Sequence, residues 1–227
     1  MSKRYPRTAH VIFSPGATRD DRRLSIEEHN IFLGQRIIIS EKLDGGSACF
    51  TDENVYARSH SGSPTHPSFD LAKQYHSQIK HLIGKDTSVF GEWCYAIHSI
   101  EYTHLKHCFN MFAVRTDSTM KWWSWDEVCM MAEMLDFPTV PVLFDGVIST
   151  IKKFQNLIET LVKQPSVYGP VREGVVIRIA DSFVVEQEID SSENVFKCVS
   201  KWVRPGHVQT SEHWSTQEIR KNGLSKC

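Results

Sequence analysis

Ile38-Ile39-Ser40-Glu41-Lys42-Leu43-Asp44-Gly45-Gly46 places one lysine between an apolar, β-branched run and a pair of glycines. The run reads as a strand over Arg36–Ser40, because branched side chains suit a pleated surface, and the glycines mark the turn that ends it. A lysine delivered by a strand into such a turn is a candidate nucleophile. Downstream, Ser47–Phe50 and Val55–Ser59 flank the polar Thr51-Asp52-Glu53-Asn54 and predict a β-hairpin. Upstream, Ser14-Pro15-Gly16 and Arg19-Asp20-Asp21-Arg22-Arg23 read as a loop feeding a short helix over Leu24–Leu33.

Further out, Phe69–Leu82 reads as a helix ending before Gly84, followed by strands at Ser88–Trp93 and Phe109–Arg115. Ser124 and Glu127 match a capping box, so a helix runs from there through Leu135 until Pro138 stops it. Pro141–Phe144 is a candidate strand. Ile151, Phe154, Leu157, Ile158, Leu161 and Val162 share one face at helical spacing and predict a helix packed on a sheet. Gly174–Ile179 and Val195–Val203 complete the strands, and a helix over Glu212–Lys221 precedes Gly223. Irregular interleaving with hairpins predicts an α+β fold on antiparallel sheets flanked by helices. Neither a dinucleotide-binding nor a P-loop glycine pattern occurs.

The composition bounds the function. The chain has 227 residues, 41% hydrophobic and 23% charged, as expected of a globular protein with a sizeable core. We expect one domain over residues 1–227, with 205–227 a short helical tail. No apolar run is long enough for a membrane span and Met1–Arg7 lacks a secretory core, so the expected location is the cytoplasm, that of the host if the source is viral. Six scattered cysteines suggest thiols, not a disulfide framework. A formal net charge of -1 argues against coating long nucleic acid by charge alone, so any such contact is local. His104-Leu105-Lys106-His107-Cys108 lacks a second ligand pair at zinc spacing.

Lys42-Leu43-Asp44-Gly45 alone also fits an ordinary surface turn. Its order among later motifs gives it weight: Phe90-Gly91-Glu92, the aromatic strand Phe109–Val114, Arg172-Glu173-Gly174-Val175-Val176, and Phe196-Lys197-Cys198-Val199-Ser200-Lys201. That series resembles motifs I, III, IIIa, IV and V of the covalent nucleotidyltransferases, the superfamily of polynucleotide ligases and mRNA capping enzymes. Glu41–Gly45, Ala57–Gly62 and the compact size are most similar to its RNA ligase 2-type branch. The resemblance implies an ATP-grasp-like nucleotidyltransferase domain without an OB domain, acting as an ATP-dependent RNA ligase. ATP and Mg2+ (or Mn2+) are the implied cofactors.

It also implies roles. Lys42 would take AMP as a lysyl adduct. Glu92 would bind the ribose, Phe112 would stack on adenine, Arg58 would contact ribose or a 5'-phosphate, and Glu41 would frame the purine. Asp44, Lys197 and Lys201 complete the nucleotide-binding set, and Glu173 joins it while holding the hydrated metal. A free lysine is protonated at neutral pH, and restoring the amine costs roughly 4 to 5 kcal/mol. Lys197, Lys201 and magnesium are expected to lower that cost by depressing the Lys42 pKa. RNA ends are the implied partner, together with a protein supplying a second domain if one is needed.

Two features depart from the pattern. Val199 stands where a second motif V lysine is usual, with Lys201 on the same face if the strand is regular. The tail after motif V also leaves no room for an OB-type domain. Trp202, Trp214 and Lys121-Trp122-Trp123 are candidates either for base stacking or for the core. The alternatives are a capping-type or DNA-joining nucleotidyltransferase and a catalytically silent end-binding module.

Overall fold

The computed structural model describes residues 5–58, 62–185, 195–206 and 218–225. Among these, the elements follow in the order β1 (Arg7–His10), β2 (Arg36–Lys42), β3 (Gly46–Phe50), β4 (Val55–Ala57), α1 (Asp70–Ile79), β5 (Thr87–Trp93), β6 (Phe109–Thr116), β7 (Lys121–Trp122), α2 (Trp125–Met134), β8 (Val142–Val147), α3 (Ile151–Leu161), β9 (Gly174–Ile179), β10 (Phe183–Val184) and β11 (Val195–Val203). They form two sheets, ordered β1-β11-β9-β2-β8 and β10-β7-β6-β5-β3-β4. Pairing is antiparallel except between β1 and β11, which run parallel. The α+β expectation holds.

Strand alternation decides what each face of β2 meets. Ile37 and Ile39 join Phe154, Ile158 and Leu161 of α3 in one core, whereas Ile38 belongs to a second core with Trp125 and Ala180. Ser40 and Lys42 therefore share Ile38's side, toward the other sheet, and Glu41 shares the α3 side. Thr150 caps α3 by accepting from Lys153 N at 3.3 Å, and Phe154 stacks on Phe32 at 5.9 Å between ring centres. α2 starts with the anticipated capping box: Ser124 Oγ accepts from Glu127 N, and Glu127 accepts from Ser124 N at 2.7 Å. Its inner residues Val128, Met131 and Ala132 belong to the same core as Phe50 and Phe109 of the six-stranded sheet.

Four expectations need correction. The helix expected at Leu24–Leu33 shrinks to a 3-10 turn over Glu28–Phe32, because Leu24 N donates to His10 O and leaves its segment extended beside β1. The expected Phe69–Leu82 helix is regular only over Asp70–Ile79, with 3-10 turns at both ends. The strand expected over Pro141–Phe144 starts at Val142 and continues to Val147 as β8: Arg36 on β2 donates to both oxygens of Asp145 at 2.7 Å and pins the register. Residues 212–217 of the expected terminal helix lie outside the described residues, and 218–221 are not helical. Instead Lys221 and Leu224 bridge to Ala96 and Leu105, while Asn222 donates to Cys94 O and Ala96 O and accepts from Tyr102 N. The 94–105 segment thereby has its polar backbone groups satisfied.

At Gly174 three strands close to their limit. It is in register with Lys42 on one side and Val203 on the other, and a Cβ there would lie 2.0 Å from Trp202 O. Gly174→Ala must therefore push β11 away from β9. We expect it to lower stability by about 3 kcal/mol, at the upper end of overpacking costs, read as a lower denaturation midpoint in urea. An unchanged midpoint would contradict the close approach.

Candidate active site

Between the two sheets lies a cavity of about 850 Å³, and Lys42 lines it from the end of β2. Its Nζ is 2.7 Å from each carboxylate oxygen of Glu173, whose side chain is only 4% exposed. Burial pulls the Lys42 pKa down, but Glu173 and then Glu92 outweigh it, so the pKa stands above the ordinary lysine value. This reverses the expected depression. The cations are outweighed because a carboxylate sits in direct contact with the ammonium.

Glu92 lines the cavity from β5, on the facing sheet. Its Oε1 accepts from Gly45 N at 3.0 Å, which requires the turn to pass close by; a Cβ on Gly45 would lie 2.6 Å from Trp93 O. Burial is the main cause that pushes the Glu92 pKa up to about 7, against the pull of Lys42. Phe112 and Arg58 also line the cavity, the latter exposed at its mouth. Glu92 lines the cavity, whereas Glu173 does not and engages Lys42 with both oxygens; these are the carboxylates that could hold a divalent cation. Among the described residues no group of three or more His, Cys, Asp or Glu is arranged to do so.

Three of the expected nucleotide contacts are placed differently. The Asp44 carboxylate accepts from Ser99 N, Ser99 Oγ and Ile100 N at 2.7–2.8 Å, so it pins the 99–100 loop and does not border the cavity. Glu41 borders the cavity, but its carboxylate lies on the α3 face, accepting from Val167 N at 2.9 Å with Arg172 Nη2 at 3.5 Å. Lys197 is exposed and outside the cavity, whereas Lys201 lines it. The strand is not regular there: Thr8 pairs with Phe196 and the next residue, Ala9, with Ser200, leaving 197–199 unmatched on β1. Burial first, and Lys42 next, lower the Lys201 pKa.

The tryptophans divide. Trp202 is buried in the α3 core and Trp122 is 1% exposed, so both belong to the interior. Trp123 Nε1 donates to Thr116 Oγ1 at 2.9 Å. Trp214 lies outside the described residues. His104 is bonded to Val167 O, and His107 accepts from Phe109 N.

Other cavity residues escaped the sequence reading. Tyr5–Thr8 and Asp20–Arg22 form a wall that the sequence suggested only as opening residues and loop. Arg178 lines the floor from β9, two residues after Val176 and on the same face, a periodicity that could have revealed it. It donates to Phe112 O at 3.3 Å, Trp123 O at 2.7 Å and Ile179 O at 3.1 Å, tying the sheets together beneath the site. Tyr5 meets Phe112 edge-on, 4.9 Å between ring centres.

The raised Glu92 pKa carries a sign. The folded state holds a proton that the unfolded state has already lost above its ordinary value of 4.5. Stability thus falls as pH rises from there to about 7. We expect Glu92→Gln to flatten that decline while keeping an acceptor for Gly45 N. Urea midpoints at the two ends of the window measure it; parallel pH dependence in wild type and variant would refute it.

The sequence profile of the RNA ligase family matches residues 35–199. No curated protein sequence matches the chain. Among solved structures, Naegleria gruberi RNA ligase with pyrophosphate is similar at a TM-score of 0.57 and 16% identity, over 87% of this chain and 59% of that one. A variant of that ligase with ATP and Mn gives 0.54 and 13%, over 87% and 60%. An archaeal ATP-dependent RNA ligase gives 0.54 and 12%, over 88% and 48%. At these identities the likeness establishes the fold, and the chain spans about half to three fifths of each neighbour's length.

Proposed function

Because the chain belongs to the RNA ligase family, we propose that it is an ATP-dependent RNA ligase that joins 5'-phosphate and 3'-hydroxyl ends through a lysyl-AMP intermediate. The observation that carries this reading is the placement of Lys42 Nζ, 2.7 Å from buried Glu173, in a cavity shared with Glu92, Phe112 and Lys201. Phe112 on one sheet faces Val176 and Val199 of the other across the cavity, a slot suited to a flat purine.

Lys42 sheds its proton to water and attacks the α-phosphorus of ATP; the N–P bond forms, the bond to the β-phosphate oxygen breaks, and pyrophosphate leaves. A 5'-phosphate oxygen of RNA then displaces Lys42, which regains a proton. Finally the 3'-hydroxyl attacks the activated 5'-phosphorus and AMP departs. Lys201 stabilises charge developing on the phosphates, and Glu92 binds the ribose. Glu173 is the carboxylate that would hold a hydrated magnesium or manganese ion, which keeps several waters and needs few direct protein ligands. Bound at Glu173, that ion would offset phosphate charge. The Naegleria neighbour with ATP and Mn supports this pairing.

The reading extends to a cytoplasmic enzyme whose residues 1–227 act as one nucleotidyltransferase domain on RNA ends. Incubation with magnesium and radiolabelled ATP, GTP or NAD should yield an acid-labile protein adduct with ATP. It should vanish in Lys42→Ala and Lys42→Arg, the second retaining the ion-pair charge. No adduct with any nucleotide would sink the proposal, and a GTP-only adduct would move it to capping chemistry. Nicked RNA should be sealed in preference to nicked DNA; equal rates would overturn the choice of RNA.

A further inference from the structure

The reaction proposed above releases a highly charged leaving group, and the wall beside Lys201 is built by a segment that precedes every motif of the site. Residues 10–24 are joined to the distal half of β11. His10 is in register with Lys201, and Val11 N donates to Lys201 O at 2.9 Å. Ser14 Oγ accepts from Val203 N at 3.0 Å, and Gly16 N donates to Val203 O at 2.9 Å. The segment then turns back, with His10 N donating to Arg22 O and Leu24 N to His10 O, both at 2.8 Å. The backbone of Arg22 is thereby linked through His10 to Lys201, and both residues line the cavity.

Asp20 and Asp21 line the same wall, and the charged residues on either side of Arg22 in the chain have local partners. Arg23 donates to Ile12 O and Ala17 O, and Asp21 accepts from Thr18 N and Thr18 Oγ1 at 2.9–3.0 Å. Arg22 lines the cavity and bonds Glu28 through Nη2 alone; Glu28 is itself fixed by Ser25 N at 2.8 Å and does not line the cavity. A guanidinium carries five N–H donors, so most of Arg22's remain for a ligand. Lys201 and Arg58 line the same cavity and take part in no ion pair among the described residues. A forked cation beside two unpaired ones suits a multivalent phosphate.

We propose that Arg22, presented by the segment docked on β11, binds the β- and γ-phosphates of ATP and the pyrophosphate that leaves. This rests on the ligase reading and adds to it a residue outside the family's matched region. Run backward, a pyrophosphate oxygen attacks the phosphorus of lysyl-AMP; the P–O bond forms, the P–N bond breaks, Lys42 takes up a proton and ATP is regenerated.

The test uses that reverse step. The full chain is charged with ATP and magnesium, freed of nucleotide, and its Lys42 adduct is discharged with either inorganic pyrophosphate or 5'-phosphorylated RNA. Arg22→Ala should raise the pyrophosphate concentration for half-maximal discharge by about tenfold, as loss of charge-assisted bonds predicts. Arg22→Lys should recover part of the loss. Discharge to RNA should stay within about threefold, a difference that a purely structural role would not produce. Glu28→Gln should leave pyrophosphate discharge at or above wild type. An unchanged half-maximal concentration in Arg22→Ala, or equal losses with both acceptors, overturns the proposal while leaving the ligase reading intact. Absence of any wild-type adduct overturns that reading and this one with it.

Discussion

The contact between Lys42 and Glu173 governs the arrangement of the site. Two oxygens at 2.7 Å hold the ammonium at the end of β2, and the carboxylate has almost no access to solvent. A buried charge left alone is costly, so each member holds the other in place. The geometry that permits it is backbone geometry. Lys42 is in register with Gly174, next to Glu173 in the chain, and Gly174 lies so close to Trp202 that no side chain fits. Strand register, a mandatory glycine and the ion pair are one constraint seen at three levels.

That constraint also explains why the resting lysine is protonated. Burial alone favours the neutral amine, and Lys201 adds to that pressure by repulsion; Glu173 and Glu92 reverse the balance. Opposed influences therefore act on one nitrogen, and the carboxylates prevail. Arg178 ties the two sheets together beneath it, since its three carbonyl partners include Phe112 O and Trp123 O across the cavity floor.

Much of the site was legible because its chemistry sits in short local patterns. Lys42, Glu92 and Phe112 lie in apolar strands and Glu173 enters one, and the order of these short patterns carries the family resemblance that assigned their roles. Asp44 and Glu41 belong to the same motif, yet the fold turns their carboxylates to loop and core partners that lie 55 and 126 residues away in the chain. No local pattern could reveal those partners. β8 shows the same limit in the fold, since it runs past the expected Phe144 to Val147, where Asp145 meets Arg36, a residue 109 positions away.

Local sequence pattern determined the α+β class, the main helices and a candidate nucleophile, because these depend on side-chain chemistry at short separation, while the supporting residues came from the resemblance of their order to the nucleotidyltransferase motifs. Tertiary structure alone decided that Lys201 and not Lys197 enters the cavity, that the N-terminal segment walls it, and that Lys42 is held as an ammonium. The reason is physical: a register shift, a parallel edge strand and an ion pair 131 residues apart arise from which strands meet, and meeting is a property of the folded chain.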